Sequence, residues 1–224
     1  MKKHIKNAVF FGVVLSALMM VSAFAYSENK GERRIIPYEG TALAEGRIIN
    51  GEVDYGFLVK DLKELELLSD ISIKGKVLPD SYMVLKDSTS GWVSGYTKTK
   101  IEVTEVFSGD IKVGDIIEVA EPYYESSIES QTYFITNDGY LPSIVEDEYI
   151  WLLEKYDENS ERESLYGMFN TYVGRFPASN VSPSQRSGIM QFSKSVSNSE
   201  LELLPESNTT LYREIFQEIL NRFN

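Results

Sequence analysis

Ile101-Glu102-Val103-Thr104-Glu105-Val106-Phe107, then Ser108-Gly109-Asp110-Ile111-Lys112-Val113-Gly114-Asp115, then Ile116-Ile117-Glu118-Val119-Ala120, is the stretch that decides the fold. Ile101 and Val103 alternate with Lys100, Glu102 and Thr104, the period of a strand with one buried face. Residues 108–115 carry Gly-Asp twice, at 109–110 and 114–115, and glycine tolerates the positive φ of a tight corner. Residues 116–120 are a returning strand, so the stretch predicts a hairpin with a long, two-cornered turn.

Toward the N-terminus, residues 57–69 predict a helix. Leu58, Leu62 and Leu65 recur at i, i+4 and i+7, with Lys60, Asp61, Lys63 and Glu64 between them. From Asp70 the pattern becomes β-like: Ile71, Ile73 and Val77 predict a strand over 70–78 whose Gly75 marks a bulge or bend. Met83-Val84-Leu85 is a further short strand, and residues 86–97 read as a loop centred on Trp92. Before residue 57, an extension over 26–56 carries six glycines or prolines between Gly31 and Gly56, which discourage long regular elements.

Toward the C-terminus, Tyr133-Phe134-Ile135-Thr136 predicts a strand stopped by Asn137-Asp138-Gly139. Tyr149-Ile150-Trp151-Leu152-Leu153, apolar throughout, predicts a central strand buried on both faces. Residues 157–164 read as a charged loop and 168–177 as a last strand. Residues 178–208, rich in serine and asparagine, read as a linker. In residues 209–224, Leu211, Ile215, Ile219 and Phe223 form one apolar row and Tyr212, Phe216 and Leu220 the row beside it. A face that broad needs a partner surface. Docking onto the barrel is the expectation, with self-association or a partner protein as the alternative.

Three segments together, Ser69–Val77, Ile101–Asp115 and Glu148–Leu153, resemble a largely uncharacterised family of small exported proteins, mostly from Gram-positive bacteria. The resemblance spans about residues 57–177, and its most specific part is the repeated Gly-Asp around Ile-Lys-Val. It implies a mainly β (α+β) fold: an OB-like five-stranded barrel with a leading helix and a C-terminal amphipathic helix, broadly similar to metalloproteinase-inhibitor-like domains. Those inhibitors use disulfides and an N-terminal cysteine. This chain has no cysteine, so the resemblance carries over no inhibitory mechanism and no site residue.

The first 25 residues read as an export signal. Lys2, Lys3 and Lys6 precede an uncharged apolar run from Ala8, which closes on Ala23-Phe24-Ala25, the small residues Ala23 and Ala25 marking a cleavage site. An uncleaved anchor is the alternative, but an 18-residue run is marginal for a span of about 30 Å. Cleavage predicts a secreted or cell-wall-associated protein, off the membrane.

The full chain has a net charge of −12. Without the leader it keeps 19 basic and 34 acidic residues, a net −15. Such a chain repels phosphate backbones and anionic bilayers, so no nucleic-acid partner is expected. Residues 121–163 hold twelve of the acids against Lys155 and Arg162. The sole histidine, His4, lies in the leader. The cleaved chain therefore has neither Ser-His-Asp nor Cys-His chemistry, and no His or Cys ligand for zinc. No cofactor and no metal are expected. Asp157-Glu158-Asn159-Ser160-Glu161 starts like a calcium loop, but Arg162 stands where glycine is needed and Met168 where a bidentate glutamate is needed.

The binding candidates are Trp92, Tyr123 and Tyr124, aromatic residues suited to stacking on a sugar or packing on a peptide. The competing expectation is that each covers the edge of the core. The functional expectation is an exported, non-enzymatic binding or interaction module for an unknown protein or cell-wall ligand. The alternatives are a carbohydrate-active protein using a carboxylate pair and a self-associating structural protein.

Overall fold

The computed structural model describes residues 33–53, 58–88, 93–157, 162, 164–170, 173–178 and 210–223. Ala23, Ala25 and Trp92 lie outside the described residues, as does nearly all of the 178–208 linker. The chain divides into two units, 1–34 with 86–94, and 35–85 with 95–224. In the first, Arg34 pairs with Asp87 at 2.8 Å. The second holds the barrel.

The chain is mostly β, around a closed five-stranded barrel. Its strands are β3 (Ile71–Val77), β5 (Val93–Ser108), β6 (Ile116–Glu121), β9 (Glu148–Lys155) and β10 (Tyr166–Gly167). β3 pairs antiparallel with β5 and with β9, β9 with β10, and β5 with β6. A single parallel contact, Tyr166 opposite Val119, joins β10 to β6 and closes the ring. The OB-like barrel and the hairpin about 108–115 are thus present.

Closure depends on β5. Its residues 97–102 face β6, and the span from Ile101 to Ser108 faces β3. One long strand therefore serves two neighbours and must curl between them. The register of β3 shifts between Ser72 and Ile73 and again between Lys74 and Gly75, which bends the partner with it. At Gly75 a Cβ would stand 2.4 Å from Ile101 Cγ2, so the bend brings the strands too close for any side chain.

Strand β9 alternates between two cores. Tyr149, Trp151 and Leu153 point into the barrel with Ile73, Val77, Ile101, Val103 and Val119. Ile150 and Leu152 point outward into a second cluster. That two-sided burial is why the run is apolar throughout.

The second cluster is closed by two helices. The expected helix over 57–69 forms as α2 (Leu62–Leu68) and starts later, because Asp61 is extended and its carboxylate accepts the Glu64 N–H at 2.8 Å. Leu58, ahead of that cap, is 55% exposed. The C-terminal helix, α3 (Thr210–Arg222), buries Tyr212, Ile215, Phe216, Ile219 and Leu220 against Leu62, Leu65, Ile150, Leu152, Val173 and Phe176.

Two expectations need correction. Residues 168–177 do not form one strand. Short β10 ends at Gly167, a bridge joins Asn170 to Val173, Gly174 turns at φ +136°, and β11 (Arg175–Pro177) then pairs with β9. The loop over 86–97 is shorter than expected: β4 (Tyr82–Asp87) enters it and β5 begins at Val93. Residues 93–97 read as loop because Ser94, Gly95 and Thr97 hide a strand whose order comes from its neighbours β4 and β6.

Residues before 57 also take short regular elements: β1 (Arg33–Pro37), α1 (Thr41–Ala44) and β2 (Ile48–Gly51). β2 lies parallel to β8 (Gln131–Asn137), which pairs antiparallel with β7 (Tyr123–Ile128), giving a separate three-stranded sheet. The Asn137-Asp138-Gly139 turn ends β8 as expected, with φ +49° and +77° at its last two residues.

Candidate functional site

Period-two alternation splits the three-stranded sheet into unlike faces. Tyr123, Glu125, Phe134 and Thr136 are buried on one. On the other, Tyr124 stands opposite Ile135, and Ile135 opposite Ile49, so the three make a row across all three strands. Tyr133 lies beside that row, opposite Ser126, and its hydroxyl donates to Gln131 Oε1 at 3.1 Å. Ile49 is 38% exposed and Ile128 41%. The remaining strand positions on this face are Gly51 and Asn137. None of these positions is charged, in a chain with 34 acids.

The two expected tyrosines part company here. Tyr123 is 1% exposed and packs on Tyr38, Phe134 and Tyr140, with ring centroids 5.0, 5.6 and 6.3 Å away. It is a core residue, and its assignment as a stacking platform is corrected. Adjacent strand residues face opposite ways, so Tyr123-Tyr124 never offered one aromatic patch. Tyr124 is half-buried, and that burial raises its hydroxyl pKa. Its ring lies against Gly95 of β5, where a Cβ would come 3.0 Å from Tyr124 Cγ.

Beneath the sheet is a buried polar cluster that sequence reading did not anticipate. Glu121, at the end of β6, is fully buried. Its Oε1 accepts from the Tyr140 hydroxyl at 2.5 Å, the Ser143 hydroxyl at 2.5 Å, the Ser143 N–H at 3.2 Å and the Arg175 guanidinium at 3.5 Å. Its Oε2 accepts from the Thr99 hydroxyl. Arg175 also donates to the Leu141 carbonyl and to Ser143 Oγ, both at 2.9 Å. Its guanidinium lies 4.3 Å from the Tyr140 ring centre and 5.2 Å from that of Tyr149.

A buried carboxylate needs such partners to remain charged. Burial, followed by the pull of Glu121 and Tyr38, pushes the Tyr123 hydroxyl well above its ordinary range. Burial does the same at Tyr140, with the Arg175 charge opposing it. A second buried acid, Glu125, accepts the Ala42 N–H at 2.8 Å, and its own N–H donates to Met83 Sδ at 3.0 Å. It thereby fastens α1 to β7.

Of the twelve acids in 121–163, Glu121 and Glu125 face inward. For Glu121 the available signal is its place after Ile117 and Val119 in the alternation of β6; Glu125, in a strand without such alternation, carries none. Among the described residues, no group of three or more His, Cys, Asp or Glu side chains is arranged to hold a metal ion. Also among them, no helix is long and apolar enough to cross a membrane. No known protein family, curated protein or solved structure matches this chain.

Proposed function

We propose that the chain is an exported, non-enzymatic binding module, and that it takes an uncharged ligand on the outward face of the β2–β8–β7 sheet. The observation that carries this reading is the row Ile49–Ile135–Tyr124, flanked by Tyr133 and Gln131, on a face without charge. Aromatic rings stack on the apolar faces of sugars, and amide and hydroxyl groups pair with their hydroxyls. A neutral stretch of cell-wall glycan suits that chemistry and the export leader. An anionic ligand would meet the surrounding negative charge.

The buried cluster supports contact over catalysis. Glu121 already accepts hydrogen bonds from Thr99, Tyr140, Ser143 and Arg175, so its oxygens are committed to holding the fold. The test is cosedimentation of the protein with neutral wall glycan, compared with a Tyr124→Ala/Tyr133→Ala variant. Retention that falls at least tenfold in the variant is expected. Unchanged retention would remove the sheet face from the proposal. Progressive release of soluble sugar by the native protein would instead favour the carboxylate-pair hydrolase.

A further inference from the structure

Building on the reading that the outward face of the β2–β8–β7 sheet takes an uncharged ligand, we infer that this ligand is a neutral sugar chain bearing acetamido groups, and that Asn137 reads the amide.

Successive rows on this face lie two residues apart along each strand, about 7 Å. Gly51 and Asn137 form the row next to Ile49, Ile135 and Tyr124. Asn137 is partly buried, yet among the described residues its carboxamide makes no hydrogen bond. A carboxamide offers an acceptor oxygen and two N–H donors. Here they stand beside branched apolar side chains and go unused by the fold.

Gly51 keeps the place of that amide open. A Cβ there would stand 2.9 Å from Asn137 Oδ1. Gly51 does not take the left-handed backbone conformation that would itself call for glycine. Its missing side chain answers instead to the close approach of Asn137.

The frame that carries Asn137 is tied from both strands. The Asn137 carbonyl accepts the Tyr140 N–H at 3.0 Å, and the Gly51 carbonyl accepts the Asp138 N–H at 2.8 Å. Asn50 Oδ1 accepts the Gly139 N–H at 2.8 Å. The backbone is thus held while the carboxamide keeps its donors and acceptor for a ligand.

An acetamido group matches this arrangement in both of its parts. Its N–H donates to Asn137 Oδ1 while its carbonyl accepts from Asn137 Nδ2, a paired two-bond contact. Its methyl then lies toward Ile49 and Ile135, and the sugar ring is left for Tyr124 or Tyr133 to stack on. A plain ring hydroxyl would leave the isoleucines uncovered and part of the carboxamide unpaired. A carboxylate would meet Glu52 and Asp138, which adjoin Gly51 and Asn137 in sequence.

Cosedimentation with chitin and with cellulose tests this. The two polymers share a glucan backbone, and only chitin carries an acetamido group on each ring. The native chain should bind chitin about tenfold more tightly, the effect of a net hydrogen bond and a covered methyl. Asn137→Ala should bring chitin retention down to the cellulose level and leave cellulose retention unchanged. Should Asn137→Ala melt early, Gly51→Ala carries the same decision, because it keeps the amide but pushes its free end aside. Equal retention of the native chain on both polymers would overturn the acetamido assignment and leave the sheet face standing. A chitin preference that survives the substitution would overturn the role of Asn137. Stronger retention on chitosan, the deacetylated polymer, would assign this end of the face to Glu52 and Asp138 and overturn it as well. Retention on neither polymer, or retention untouched by Tyr124→Ala/Tyr133→Ala, would remove the sheet face itself and the acetamido assignment with it.

Discussion

The guanidinium of Arg175 stands 3.5 Å from the carboxylate of Glu121, the two side chains 2% and 0% exposed. One residue begins β11 and the other ends β6, so the pair ties β11 to the barrel wall. Tyr140 and Tyr149 supply aromatic faces over the cation. Removing one member of a buried, hydrogen-bonded pair strands the other charge and costs about 3–5 kcal/mol. Glu121→Ala and Arg175→Ala should each lower the unfolding free energy, measured by urea titration, by that order. Arg175→Lys should recover little, because a point charge cannot stack between two rings and donate to Leu141 and Ser143 together.

Alkaline pH should unfold the protein through its buried tyrosines. Burial is the leading cause of the raised pKa at both Tyr123 and Tyr140. A group whose folded pKa lies above its unfolded value of 10.0 contributes stability that is complete below that value. That contribution is lost as pH rises beyond it. The unfolding free energy should therefore fall steeply above about pH 10. Tyr123→Phe should flatten the slope, measured by urea titration across pH. An unchanged slope would place the ionisation elsewhere.

Glu154 should be a stability cost at neutral pH. Its pKa is raised first by burial and then by Asp70 and Asp157. The charged form is thus disfavoured in the fold, and the penalty is present at pH values above the folded pKa. Glu154→Gln should raise Tm slightly near pH 7, the gain kept small by solvent screening of a partly exposed side chain. The advantage should vanish once the native residue is protonated, below the ordinary value of 4.5. Paired thermal melts at the two pH values decide the matter.

Gly95→Ala should disturb both stability and the proposed sheet site. The added methyl would stand 2.7 Å from Leu85 Cδ2, 2.9 Å from the Val84 carbonyl and 3.0 Å from Tyr124 Cγ. Overpacking of this kind costs about 1–3 kcal/mol. Relief by moving Tyr124 should also weaken glycan retention. A variant with native melting and native retention would show that the strands spread without cost.

Asp61→Ala removes the acceptor for the Glu64 N–H and should cost about 1 kcal/mol. The loss should appear as faster hydrogen exchange in α2 and α3 ahead of β3 and β5.

Much of the barrel was legible because its residues repeat with a period. Ile101 and Val103 alternate, Tyr149–Leu153 is apolar throughout, and Ile215 and Ile219 recur one turn apart. Each pattern reports local burial, and burial follows from side-chain chemistry. Strand β7 was not legible, since Tyr123-Tyr124-Glu125-Ser126-Ser127 lacks a clean alternation of polarity. Its order comes from β8, and its buried glutamate is acceptable only because Ala42, far away in sequence, supplies a donor.

By itself, then, the sequence determined the strands of one hairpin, the apolar central strand, the amphipathic helix, and the absence of cysteine and of any histidine beyond His4. Tertiary structure alone decided which of Tyr123 and Tyr124 faces outward. It also decided that Glu121 and Glu125 are buried among so many acids, and that Arg175 answers Glu121 across 54 residues. The physical reason is that patterning is a short-range property of the chain. The partner of a buried charge and the facing of a tyrosine are set by strands that meet only once the barrel has closed.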